Sequence, residues 1–190
     1  MTPSPTPTPM KKTVWTFGLI SAAVMALFMC ATLPFVNSLG DHSYIVGYTG
    51  IVAGFLLVYF GIRSYRDNVL GGRIGFGRAL SVGFLIATIG SVGYVATWEV
   101  LYFKFMPDFY SKYGQLAVDH ARKSGASQAD VEKTRAAMNA MTESAKSPVW
   151  VAATTFIEPF PVGFLIALIS AGILRRKRAA QSDGAVLETA

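Results

Sequence analysis

Cysteine is nearly absent: Cys30 stands alone, so no disulfide can form within the chain. Histidine is almost as scarce. His42 and His120 lie far apart, and an adjacent aspartate, as in Asp41-His42, does not by itself make a ligand set, which leaves zinc and haem without one and implies no cofactor. The G-x-S-x-G nucleophile elbow is missing, and no serine stands with a histidine and an acid as an obvious triad. Gly72-Arg-Ile-Gly75-Phe-Gly77 has the glycines of a phosphate loop but neither the G-x-G-x-x-G order nor a strand before it. Charge is thin as well: 15% of residues are charged against 52% hydrophobic, too few to clothe a soluble core of that apolar content.

What is abundant is apolar sequence in blocks. Val14 to Leu33, Tyr44 to Ile62, Ala79 to Phe103 and Val149 to Leu174 each approach the ~20 residues a helix needs to cross a ~30 Å hydrocarbon layer. Lipid offers the backbone no hydrogen-bond partner, and period-2 alternation is missing, so the blocks are expected as helices. The expected fold is all-α, an integral membrane four-helix bundle with spans at about 14–35, 44–63, 78–104 and 148–174 inside a domain of residues 13–178. Residues 1–12, opening MTPSPTPTPM, read as a proline-rich extended tail rather than a signal peptide, and residues 179–190 as a second tail. Span one then serves as an uncleaved signal anchor.

The net charge of +6 is explained by position rather than by nucleic acid. Lys11, Lys12, Arg63, Arg66, Arg73, Arg78, Arg175, Arg176, Lys177 and Arg178 all flank span ends on one side, while the loop 34–43 on the other side has no Lys or Arg. The positive-inside rule then puts both termini in the cytoplasm. The mixed-charge segment 107–146 goes outside and is expected to hold two short amphipathic helices. The first would carry Phe109, Tyr113, Leu116, Ala117 and His120 on one stripe; the second would start at a Ser127/Asp130 capping box with Val131, Met138 and Met141 on one face. They would lie on the outer leaflet, cover the bundle or meet another subunit.

Span four, FIEPFPVGFLIALISAGIL, contains Glu158, Pro159 and Pro161. The prolines lack amide protons, so the carbonyls of Thr155 and Ile157 are expected free. Glu158 lies about 26 Å up its helix from the terminal arginines and Glu99 about 31 Å above Arg78, which sets both acids in the outer leaflet. A carboxylate there costs roughly 2–3 kcal/mol if unpaired, so it is expected to face the bundle and find a partner among Lys104, Tyr94, Tyr102, Thr154 and the freed carbonyls. Glu158, Glu99, Lys104, Pro159 and Pro161 thus form the candidate intramembrane polar site. Gly50 with Gly54, and Gly83 with Ala87 and Gly90, give spans two and three small-residue faces for close helix packing.

The run HSYIVGYTGIVAGFLLVYFGIRSYRDNVLGGRIGFGRALSVGFLIA, then YVATWEVLYFKFMPDF and FIEPFPVGFLIALISAGILRRK, resembles the bacterial membrane family known as domain of unknown function 4199 over about Val14 to Arg178. Gly47-Tyr48-Thr49, Gly61-Ile62-Arg63, Tyr65-Arg66-Asp67, Gly71-Gly72, Phe76-Gly77, Glu158-Pro159 and Pro161-Val162-Gly163 carry the likeness in order. The resemblance implies a small four-helix inner-membrane protein, makes Glu158-Pro159 a shared pattern and supplies no catalytic residue.

Three functions follow as expectations. The first is a non-enzymatic, membrane-embedded packing, accessory or regulatory partner, contacting the bilayer and another membrane protein or a second copy. The second is a small proton- or cation-coupled carrier or channel using Glu158. The third, a lipid-modifying enzyme, has only Glu99, Glu158 and Lys104 to draw on.

Overall fold

The computed structural model describes residues 9–33 and 43–175. The expected tails before Pro9 and after Arg175, and the loop 34–42 with Asp41 and His42, lie outside them. Regular structure among the described residues is helical throughout: α1 (Pro9–Thr32), α2 (Ser43–Asn68), α3 (Phe76–Phe105), α4 (Phe109–Lys123), α5 (Gln128–Ser144), α6 (Pro148–Ile157) and α7 (Pro159–Leu174). Four stretches are long and apolar enough to cross a membrane, the last running through α6 and α7 as Pro148–Leu174. At 24 to 30 residues each, they rise about 36–45 Å, more than the ~30 Å hydrocarbon requires.

Two boundaries differ from expectation, each for a local reason. The helix of span one begins at Pro9, inside the stretch 1–12 expected to be an extended tail. A proline costs nothing in the first turn of a helix, where amide protons have no partner, and Thr13 Oγ1 donates back to the Pro9 carbonyl at 3.2 Å. Span two continues to Asn68 instead of ending at 63. Asn68 Nδ2 donates to Ser64 Oγ, and Arg63 reaches Asp67 at 3.6 Å, but Arg66 holds Asp67 more closely, at 2.6 and 3.1 Å. The helix then stops at Gly71 and Gly72, whose φ of 64° and 87° no side chain with a Cβ adopts readily. Behind this turn Tyr65 and Ile74 are buried, with the Arg78 guanidinium over the Tyr65 ring at 5.7 Å.

Helices α1 and α7 each pack on both α2 and α3, which also touch each other, and α6 packs on α3. Small residues make these contacts. A Cβ on Gly50 would strike the Phe28 ring and one on Gly54 would strike Met25, both on α1. A Cβ on Gly83 would come within 2.8 Å of Ile62 on α2 and 2.9 Å of Ala167 on α7; one on Gly90 would meet Ser21, Met25 and Phe55. Both candidate packing faces are therefore spent inside the chain. Ser21 Oγ also donates to the Gly54 carbonyl at 2.9 Å across the α1–α2 contact.

The outward faces are the reverse, with Leu27, Ile45, Leu56, Val92, Ile157, Leu165 and Ile173 all exposed. Hydroxyls within the apolar helices are satisfied locally: Thr32, Thr49, Thr88 and Thr97 each donate to the carbonyl four residues back. Small residues at the close contacts, large apolar ones turned outward and these threonine hydroxyls paired to their own helix are what oil as solvent demands.

Helices α4 and α5 form a hairpin turning at Gly125, φ 77°. Ser127 caps α5, its Oγ accepting from Asp130 N at 3.2 Å. The face α4 turns to α5 is Gly114 and Val118, not the stripe Phe109–Tyr113–Leu116–His120. Hydropathy alone misses this, because the residue that decides the approach is a glycine: a Cβ on Gly114 would lie 3.0 Å from Met138. At 3.6 residues per turn the two faces point roughly 150° apart, and Leu116 is left 64% exposed. The base of the hairpin is fastened: Phe109 and Tyr110 at its start and Ala145 at its end pack with Trp98, Tyr102, Trp150 and Val151.

Candidate functional site

Span four is built to be interrupted. Ser147 Oγ accepts from Trp150 N at 3.4 Å to cap α6, with Pro148 in the first helical position. Eleven residues after Pro148, Pro159 opens α7, and Glu158 sits between the two helices with φ −73° and ψ −60°. Those angles remain in the right-handed helical region, so the backbone is not unwound. The Thr155 carbonyl, expected free, instead accepts the Glu158 amide at 3.3 Å, a tighter i→i+3 closure that the missing proline donor leaves room for. Pro159 is buried and Pro161 exposed.

Helix rise and the hydrogen bonds agree on depth. Tyr94 stands sixteen residues above Arg78 on α3 and Glu158 seventeen from Arg175, about 24–26 Å in both cases. Tyr94 Oη donates to Glu158 Oε2 at 3.3 Å. The other expected partners are engaged elsewhere. Thr154 Oγ1 donates to the carbonyls of Trp150 and Val151. Tyr102 is buried in aromatic contacts with Trp98, Phe103 and Tyr110. Lys104 is exposed, and the ion pairs of the described residues do not include it. Five positions above Glu99, it points about 140° around the helix from that acid.

The antiparallel register of α3 with α7 follows from two contacts: Gly83 against Ala167 and Ala87 against Gly163. Continued upward, it sets Ser91 level with Pro159 and Glu99 level with Val151. Ser91 Oγ and Glu99 Oε1 are buried oxygens without a hydrogen-bond partner among the described residues. Ser91, Tyr94, Glu158 and Glu99 therefore form a polar seam along α3 and span four, from mid-span towards the end that carries the hairpin. Tyr110, at the base of the hairpin, is held above the usual phenol range by burial and then by the charges of Tyr102, Glu158 and Glu99, with Trp98 opposing. It closes the seam.

Of the five residues expected at the site, the structure gives Glu158 a side-chain partner while leaving the residue exposed, buries the neighbouring Pro159 in the core and leaves Lys104 apart. Ser91 and Tyr110 lie outside the expected site, and Gly163 is expected only as part of the Pro161-Val162-Gly163 likeness. Ser91 had a usable signal, a hydroxyl three residues before Tyr94 and so on the same face; Tyr110 and Gly163 depend on how distant segments meet. A carboxylate and a phenol in an apolar setting can hold and exchange a proton. They offer no nucleophile with its base, and no group of three or more His, Cys, Asp or Glu among the described residues is arranged to hold a metal.

The fold and this seam define an all-helical protein with four helices fit to cross a membrane and a polar cluster in one half of their length. Over residues 16–176 the chain matches the family described as Protein of unknown function (DUF4199), and it belongs to that family. No curated protein and no solved structure matches it.

Proposed function

We propose that this is a multi-pass protein of a bacterial inner membrane, with both termini cytoplasmic and the α4–α5 hairpin outside, acting without chemistry of its own as an accessory or regulatory partner of another membrane protein. The four long helices then form the bundle, and the hairpin supplies its two amphipathic external helices. The observation that carries this reading is the stripe of α4 turned away from α5, where Leu116 is 64% exposed. An amphipathic helix that hides glycine and valine inside while showing leucine outside has spent its sequence on a second surface.

A photo-crosslinking amino acid at position 116, in intact cells, is expected to give an adduct with a second, different membrane protein, and one at Gln128 on the polar side is not. Adducts only with lipid, or none, would remove the partner reading. Orientation is tested separately. Ser127→Cys is expected to react with an impermeant thiol reagent added outside spheroplasts, and Asn68→Cys only after lysis; the opposite pattern would invert the topology.

A carrier coupled to protons or cations is the second reading, favoured by the Tyr94–Glu158 hydrogen bond at the helix interruption. Flux in vesicles that Glu158→Gln leaves unchanged would end it.

A further inference from the structure

The polar seam has one open end. On the hairpin side of Glu158, Thr154 lies one turn up the same face and is exposed, and Ser147 caps the helix beyond it. Glu99 has a buried, unpartnered oxygen about 10 Å above on α3, and Tyr110 is near enough to feel both carboxylates. On the other side, below Ser91 and Pro159, the contact between α2, α3 and α7 is made by Phe55, Val58, Ile86, Ala87, Gly163 and Ala167, buried and apolar throughout. The next buried hydroxyl on α7 is Ser170, eleven residues on and about 16 Å away. A proton moves between groups within hydrogen-bond reach or across a water. The glycine contacts close that stretch, since a single added Cβ at Gly83 or Gly163 would already overlap its neighbours.

The groups facing Glu158 favour a proton over a metal cation. From α3 comes Tyr94, its hydrogen-bond donor; Tyr48 of α2 is near enough to Tyr94 for their charges to interact, and Tyr110 of α4 is near enough to interact with Glu158. No lysine, arginine or histidine among the described residues pairs with it. Phenols donate a hydrogen bond to a carboxylate but are poor ligands while protonated, and a lone carboxylate does not complete the oxygen shell a hard cation needs.

We propose that Glu158, held by Tyr94, is a proton-binding site that exchanges only with the hairpin side of the membrane, the carboxylate taking up one proton and releasing it to the same side. The inference rests on the reading of the chain as membrane-spanning with the hairpin outside, and it differs from the carrier reading in allowing no through-path. It gives the accessory reading a signal to report, the acidity outside.

The test uses the full chain in proteoliposomes with one orientation selected, read by infrared difference spectroscopy as the pH is stepped on one side at a time. A protonated-carboxyl band is expected that follows the pH on the hairpin side, ignores the pH on the arginine-rich side and disappears in Glu158→Gln. Tyr94→Phe is expected to keep the band and change its frequency, because the hydrogen bond is gone. A pH dye trapped in the same vesicles is expected to report no protein-dependent flux. A band that persists in Glu158→Gln, follows the arginine-rich side or never titrates overturns the site. Flux that Glu158→Gln abolishes overturns the one-sided site while upholding the carrier. Should Glu158→Gln fail to fold, an unchanged band in Tyr94→Phe is sufficient to overturn the assignment.

Discussion

Gly83→Leu is expected to lower the stability of the folded protein in detergent by about 3 kcal/mol or more, at or beyond the upper end of the range for overpacked cores. The first added carbon would already sit 2.9 Å from Ala167 Cβ, 2.8 Å from Ile62 Cδ1 and 3.2 Å from Val58 Cγ1. Ala167 cannot rotate away, because its Cβ moves only with the α7 backbone. The remaining carbons of the leucine would then force α3 away from both α2 and α7. Gly172→Leu, on α7 where nothing lies within 4 Å of the added Cβ, is expected to stay within about 0.5 kcal/mol of the parent. Thermal or denaturing-detergent unfolding of both variants side by side measures the contrast. Equal midpoints would mean that these helices do not meet at Gly83.

Phe55→Ala tests the opposite failure, too little volume where three helices cross. Phe55 is 0% exposed, and its ring is the nearest neighbour of a Cβ built on Gly163 and among the nearest for Gly90. In a soluble protein such a truncation costs about 3–5 kcal/mol, part of it the transfer of apolar atoms out of water. Here the unfolded reference is still solvated by lipid, so the transfer part falls away and the lost packing remains. A void of about 100 Å³ at ~24 cal/mol per Å³ gives roughly 2–3 kcal/mol. The expected order is therefore Gly83→Leu, then Phe55→Ala, then Gly172→Leu. Phe55→Ala matching the parent would falsify the packed crossing beneath Glu158.

Much of this architecture was legible because oil imposes it on each segment separately. Four apolar blocks, the basic residues at their ends and the caps at Ser127 and Ser147 are local signals, and all four long helices appear where the blocks lie. Two span ends moved, at Pro9 and Asn68, because short-range side-chain bonds extend a helix past its apolar stretch. The face that α4 turns to α5 was not legible, because Gly114 carries no hydropathy yet decides where helices approach.

The site divides in the same way. Depth is additive along a helix, so counting residues was enough to set Glu158 and Glu99 in the same half of the span, with Tyr94 among the partners within reach. Azimuth is tertiary: Lys104 and Glu99 share a helix and nearly a depth yet point different ways, and the Ser91–Pro159 level emerges only from the α3–α7 register. The Thr155 carbonyl was assigned by the rule for an ideal α-helix, which a single i→i+3 bond sidesteps.

Anchored at its base by aromatic packing, the α4–α5 hairpin is a lever. Its 15-residue first arm is about 22 Å long, so a tilt of some 10° at the aromatic fulcrum sweeps the Gly125 tip through roughly 4 Å. Tyr110 belongs to that fulcrum and also borders the two acids of the seam, so a sub-ångström adjustment there is magnified severalfold where the arm ends.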